Sequence, residues 1–220
     1  SPLVSVTYPD HCIKACYMTC ESIEQLERSK TIINQGNTSM LAAGMWFISI
    51  EAFINSLLRI ACRLQMENFD DHKKQDIGSR LSSLLKMLRI DKKAFYSSGI
   101  FQRFEEFKAF RNEMFHDRTG ESELTFNKTK FSSAPYLANQ VDAVQGAIIS
   151  LEVFHAFRHV YPGLDLMPDI LVQKDDSFGY IKFDILYESL LKPFFSRSLL
   201  KHKLTSDLVL DLALIELEAS

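Results

Sequence analysis

Glycine and proline are both scarce in this chain, whose 220 residues include only 8 glycines and 6 prolines. Turn-rich β-sandwiches and barrels need these residues at many positions, so the scarcity argues against such folds. Leucine, isoleucine, phenylalanine, lysine and glutamate are plentiful instead, and this composition favours helices. With 46% hydrophobic residues, the chain can bury one large core. The composition therefore predicts an all-α protein.

Several familiar catalytic and cofactor-binding motifs are also absent. The sequence has no phosphate-cradling glycine loop, no Gly-x-Ser-x-Gly and no HExxH, which argues against dinucleotide enzymes, elbow-type hydrolases and zincins. None of the four cysteines forms a CxxC pair, and Cys12, Cys16 and Cys20 follow one another at four-residue spacing. Disulfides along one helix face have poor geometry, so we interpret these three as small buried apolar side chains. We expect no cofactor and no metal.

Strong charge of either sign is missing as well. The formal net charge is −3, which excludes a generally basic surface, so any nucleic-acid binding must come from a local group of arginines and lysines. Residues 1–10 lack the basic and then apolar order of a signal peptide. Together with the unpaired cysteines, this leads us to expect a protein of the reducing cytoplasm.

Hydrophobic periodicity predicts a series of helices within a single domain, residues 1–220. The domain would consist of a core of about residues 10–160 and a helical extension of about residues 164–220. Asp10 is a candidate N-cap of the first helix, and Gly36-Asn37 should separate it from the second. The predicted helices span about residues 10–34, 39–68, 77–88, 99–120, 139–160, 183–200 and 204–217. A short irregular or hairpin segment is predicted between residues 121 and 135.

The second helix is the most hydrophobic segment, and residues 40–58 are long enough to cross a membrane. Glu51 at its middle and Asn55 one turn later would penalise insertion, by about 2.5–3.5 kcal/mol for a charge at the helix centre. We therefore expect a buried central helix and no membrane partner. Glu51, Asn55, Arg59 and Arg63 form a polar stripe, which is either a solvated edge or a set of partners for charged groups elsewhere.

Residues 104–118, FEEFKAFRNEMFHDR, combine an apolar stripe with polar groups. The stripe members recur at helical spacing and should pack inward: Phe104, Phe107, Phe110, Met114 and Phe115. Asn112 and His116 lie one turn apart, whereas Arg111 lies well around the helix and needs its long side chain to reach the same point. This helix is the candidate working surface. The basic residues near its end also suit the negative end of the helix dipole.

Two other groups of residues have simpler interpretations. Glu152, His155 and His159 include one Glu-x-x-His of a di-iron bundle, but a second such pair is missing, so surface or capping roles are favoured. The most basic tract also contains Phe194 and Phe195, and we interpret it as the solvated face of an amphipathic helix in preference to an RNA-tracking patch. Its basic members are Lys192, Arg197, Lys201, His202 and Lys203.

Arg111-Asn112-Glu113-Met114-Phe115-His116 resembles the signature of the HEPN superfamily, which has an arginine, a polar residue next to it, and a histidine after a four- to six-residue gap. The layout of residues 40–160, with IEAFINSLL and a leucine-rich helix before the motif, is also similar to HEPN domains. The resemblance implies an HEPN-like all-α bundle that forms a homodimer, in which both Arg-His pairs meet in one cleft. In active members it implies a metal-independent endoribonuclease.

The resemblance assigns catalytic roles to Arg111, Asn112 and His116, and we assign Glu51, Asn55 and Arg118 to substrate binding. Imidazole can exchange the protons of 2′-OH attack, and a guanidinium can bind the phosphate oxygens. The expected partners are RNA, a second copy and a cognate antitoxin, as for a toxin or phage-defence effector. Two alternatives stay open: a catalytically silent helical dimer that binds a nucleotide or a protein, and a metal-binding bundle.

Overall fold

The structure is a computed structural model that describes residues 8–28, 32–115, 124–133, 138–158, 160, 169–174 and 177–182. Helices account for most of these residues, which confirms the expected all-α class. In chain order they are α1 (Tyr8–Arg28), α2 (Ile32–Gln65), a 3₁₀ turn (Phe69–His72), α3 (Ile77–Met87), α4 (Lys92–Ser97), α5 (Gly99–Phe115) and α6 (Gln140–Phe157). A two-stranded antiparallel hairpin follows, β1 (Asp169–Lys174) and β2 (Ser177–Lys182).

Helix α2 is the central element of the fold, as its sequence predicts. It contacts α1, α3, α5 and α6, and most of its large apolar side chains, among them Trp46, Phe47 and Phe53, are almost completely buried. Thr38–Gln65 is long and apolar enough to cross a membrane, but 67% of its most apolar window is buried within the protein. This degree of burial is typical of the core helix of a bundle, whose apolar side chains are removed from water by the other helices that pack against it.

Helices α1 and α2 pack together through small side chains and a few buried hydrogen bonds. The Trp46 Nε1–H donates to Thr19 Oγ1 at 3.0 Å, and the Thr19 hydroxyl donates to the Ala15 carbonyl. Cys12 and Cys16 are buried in this contact, as predicted, while Cys20 is half-buried. Burial raises the pKa of the Cys12 thiol to about 12 and that of Cys16 well above its usual range.

The C-terminal ends of α2 and α3 meet at one end of the bundle, where the Gln65 side chain donates to the Met87 carbonyl at 2.7 Å. Both helices end in a Schellman motif, in which the residue after the C-cap adopts the left-handed conformation. That residue is Met66 after α2 and Arg89 after α3, each with a φ of 57°. Because glycine is the usual residue there, both ends carry backbone strain.

Carboxylates and an aromatic cluster attach the irregular segment 124–133 to the helices. Asn139 caps α6 and forms a capping box with Asp142. The Asp142 carboxylate is fully buried and accepts hydrogen bonds from the Asn139 and Ser132 amides, both at 2.7 Å. Phe131 inserts between the rings of α5, 4.3 Å from the Phe110 centroid. The segment is irregular, which is one of the two forms that the sequence predicts.

Three predictions about the elements are wrong. Asp10 is not the N-cap of α1, because this helix begins at Tyr8 and contains Asp10 in its first turn. The first helix boundary is not at Gly36-Asn37, because α2 begins at Ile32 and continues through both residues. The extension predicted to be helical from about residue 164 is not helical throughout, since it contains the hairpin β1–β2. Helix α4 was not anticipated. The helices predicted at residues 183–200 and 204–217, and the predicted end of the motif helix near Gly120, lie outside the described residues.

Candidate functional site

Helix α5 carries the described part of the candidate site, and its aromatic stripe fixes it against α2. Phe104, Phe107 and Phe110 are buried, as predicted. The Phe47 ring of α2 stacks on Phe104 with centroids 6.0 Å apart and meets Phe107 edge-on at 5.3 Å. Offset and edge-on ring pairs of this kind add to the stabilisation from burial. Phe115 departs from the prediction, because 46% of its surface is exposed.

Arg111 is placed by two aromatic rings. Its guanidinium carbon lies 5.5 Å from the Phe47 centroid and 5.6 Å from the Phe115 centroid, within the range of cation–π attraction. Its Nη1 donates to Asn112 Oδ1 at 3.2 Å. No carboxylate in the described part of the chain forms an ion pair with it. A guanidinium has five N–H donors. The hydrogen bond to Asn112 uses one of them, so most of the donors of Arg111 are not used by the described residues.

Gly44 of α2 provides the seat for Phe115. A Cβ atom at Gly44 would lie 2.8 Å from Cζ and 3.0 Å from Cε2 of the Phe115 ring. Real side chains do not pack at such distances, so only glycine allows the ring to approach the α2 backbone this closely. Gly44 and Phe47 were not predicted from the sequence as supports of Arg111. A lone glycine inside the most hydrophobic helix could have indicated Gly44, because such a glycine often marks the close approach of another element.

The predicted substrate ligands Glu51 and Asn55 lie half-buried on α2. Asn55 Oδ1 accepts a hydrogen bond of 2.7 Å from Arg80 Nη1, and Arg80 Nε donates to the Gln75 carbonyl. This amide therefore holds the start of α3 instead of Arg111. Glu51 lies one turn after Phe47 and forms no ion pair with a described residue. The assignment of both residues to substrate binding stays a prediction.

His116 and Arg118, the other two predicted site residues, lie outside the described residues, as do His159 and the basic tract from Lys192 to Lys203. The structure thus brings together Arg111 and Asn112 with Phe47, Phe115 and Gly44. The convergence of Arg111 with His116 stays a prediction.

The carboxylate of Glu152 is engaged by an arginine of the neighbouring helix. Arg103 on α5 binds it with two hydrogen bonds, Nε to Oε2 at 2.8 Å and Nη2 to Oε1 at 2.7 Å. Such a bidentate pair fixes the relative position of α5 and α6. Within the described ranges, no group of three or more His, Cys, Asp or Glu side chains is arranged to hold a metal ion.

Another carboxylate on α5, that of Glu106, binds the segment after the motif helix. It accepts hydrogen bonds from the Asn127 amide at 2.8 Å, the Lys128 amide at 2.9 Å and the Thr129 hydroxyl at 2.7 Å. Adjacent backbone amides that point at one anion form a nest, and here the anion is part of the protein. These contacts hold the loop beside the helix that carries Arg111.

A guanidinium without a carboxylate partner among the described residues lies beside a half-exposed ring, and a side chain in this setting is able to bind an anion. Phosphate oxygens suit its paired donors. Comparison with known proteins adds no assignment to this chemistry: no family model, no curated protein and no solved structure matches this chain.

Proposed function

We propose that this protein is an HEPN-like, metal-independent endoribonuclease that cleaves RNA through attack of the 2′-OH on the adjacent phosphate. The observation that supports the proposal is the set of contacts that Arg111 makes. Its guanidinium is held by two aromatic rings and one amide, with no ion pair to a described carboxylate. It occupies the arginine position of the Arg111-Asn112…His116 pattern, on a helix packed into an all-α bundle.

The roles follow from the chemistry of each side chain. Arg111 binds the phosphate oxygens and stabilises the negative charge that accumulates on them in the transition state. His116 transfers protons, because imidazole titrates near neutral pH and can act as base and as acid. Asn112 orients Arg111, since its Oδ1 already accepts from Nη1. RNA is the substrate because DNA lacks the attacking hydroxyl.

The proposed assembly is a homodimer in which the two Arg111–His116 pairs face one cleft. Such an enzyme would act in the cytoplasm as a toxin or phage-defence effector, with a cognate antitoxin as its protein partner. Glu51, Asn55 and Arg118 would then contact the RNA around the scissile phosphate.

Incubation of the purified chain with RNA in EDTA tests the proposal. We expect cleavage to persist in the chelator and to leave 2′,3′-cyclic phosphate ends, because the attacking hydroxyl belongs to the RNA itself. His116→Ala and Arg111→Ala should each lower the rate about 100-fold or more. Lys93→Ala, an exposed cation on the short helix α4, serves as the control and should cut at the original rate. Equal cleavage by His116→Ala would refute the assignment.

A catalytically silent binding module is the second candidate, and the exposed apolar surface beside Arg111 favours it. Phe115 and Leu41 are 46% and 44% exposed, respectively. Exposed apolar side chains can contact a ligand whether or not the protein also catalyses a reaction. A stable dimer that binds RNA or a nucleotide in the same assay, without cutting, would support this candidate over the nuclease.

A further inference from the structure

The Phe115 ring is supported from beneath and open to solvent. Its edge lies against the α2 backbone at Gly44, where a Cβ atom would be only 2.8 Å away. Nearly half of the side chain is nevertheless exposed. A glycine weakens the interior of a helix, so α2 gives up local stability at Gly44 to seat a ring that the core does not bury. Packing alone does not explain this arrangement.

A positive charge lies directly beside the open ring. The Arg111 guanidinium carbon lies over the Phe115 ring, 5.6 Å from its centroid, and 5.5 Å from the centroid of the Phe47 ring. Leu41, one turn before Gly44 on α2, is 44% exposed and lies on the same face of the helix. A flat ring with a cation next to it matches the two parts of a nucleotide, an aromatic base and a charged phosphate.

We propose that Phe115 is a stacking platform for one unpaired base of the RNA, whose neighbouring phosphate is bound by Arg111. This inference rests on the proposed function because it takes RNA as the substrate. It further specifies that the RNA is single-stranded. A base within a duplex is stacked on both faces and cannot lie on a protein ring, whereas every unpaired base offers a free π-face. Phe115 is therefore a specificity-determining residue.

The binding test uses the full chain carrying His116→Ala, so that RNA is not consumed, and short fluorescent oligoribonucleotides followed by anisotropy. Phe115→Ala should weaken binding of the unpaired strand about tenfold, the usual effect of losing one base–aromatic stack. Phe115→Trp should restore it, because indole also stacks. Gly44→Ala should weaken binding similarly, because the new Cβ displaces the ring.

Met66→Ala is the matched control. This side chain is large, apolar and 94% exposed, but Met66 follows the last residue of α2, 22 residues after Gly44, which is about 33 Å away at 1.5 Å per residue. Binding should not change. A second control replaces one base at a time by an abasic site. At one position in the RNA, the abasic site should weaken binding to the protein that retains Phe115. The same abasic site should not weaken binding to the Phe115→Ala variant any further.

The outcomes separate this inference from the nuclease proposal. Equal affinity of the chains with and without Phe115, or equally tight binding of duplex RNA, would overturn the platform even if the protein cuts RNA. Base-dependent binding without any cleavage by the chain that retains His116 would support the platform and reject the nuclease. Failure to bind any RNA would overturn both.

Discussion

Asp142 should make the protein more stable as the pH falls from 7 to 5. Its carboxylate is fully buried, and burial raises its pKa to about 6, against the opposing effect of the hydrogen bonds from the Asn139 and Ser132 amides. The folded state therefore keeps a proton that the unfolded state has lost, over the range from the ordinary pKa of 3.8 up to about 6. The stability that this proton gives is complete below 3.8 and is lost as the pH rises through 6.

The size of the effect follows from the two pKa values. The difference between 6 and 3.8 is about 2, which corresponds to about 3 kcal/mol at about 1.4 kcal/mol per pH unit. About half of this falls between pH 7 and pH 5. Asp142→Asn does not titrate, so this position contributes no pH dependence in the variant. The amide keeps one acceptor oxygen for two amide donors, which costs about 1–3 kcal/mol relative to Asp142 at pH 7. The advantage of Asp over Asn at this position should grow by about 1.5 kcal/mol from pH 7 to pH 5.

Urea denaturation of both proteins at several pH values measures the difference directly. Asp76→Asn is the contrasting control. The Ser79 hydroxyl and then the Ser79 amide lower the pKa of Asp76, so its contribution is present above pH 3.8 and lost only below it. Its effect should be constant between pH 7 and pH 5. If the Asp142 difference is also constant there, or shrinks, the buried carboxylate does not hold its proton as argued.

Two further predictions concern the backbone. Met66→Gly and Arg89→Gly should each stabilise the fold by about 1 kcal/mol in urea denaturation, because both residues occupy left-handed positions that glycine adopts without strain; Leu64→Gly, inside α2, should destabilise it by about as much. Glu106→Ala should speed amide exchange at Asn127 and Lys128 about tenfold or more, because both lose a charged acceptor. Glu105→Ala, which removes a partner of Lys108, should leave both amides unchanged.

The long, strongly periodic helices could be predicted from the sequence. Leu81, Leu84 and Leu85 define the buried side of α3, and the structure has this helix from Ile77 to Met87. Helix α4 was missed because six residues are too short to show a period, and its helical signal is the cap at Asp91. The strands β1 and β2 were missed because each contains only three apolar residues, which are consecutive in β1, and because several aspartates surround them in the sequence.

The candidate site was only partly accessible to the same reasoning. The helical period of α5 places Phe110 inside and does so correctly. It also placed Phe115 in the stripe, but the exposure of a residue at the edge of a stripe depends on the neighbouring helix. Here that neighbour presents Gly44, which lets the edge of the ring approach the α2 backbone without the ring being enclosed. Tertiary proximity of this kind, like the pairing of Asn55 with Arg80, has no signature along the chain.

The native cysteines of α1 can serve as probes of the local detachment of this helix from the bundle. Cys12 and Cys16 are closed off against α2, with pKa values far above those of reactive thiols, whereas Cys20 on the same helix is only half-buried. An alkylating reagent attacks the thiolate and needs access to sulfur. The order and the rates of modification along one helix therefore report how α1 detaches from α2, without the introduction of any foreign label.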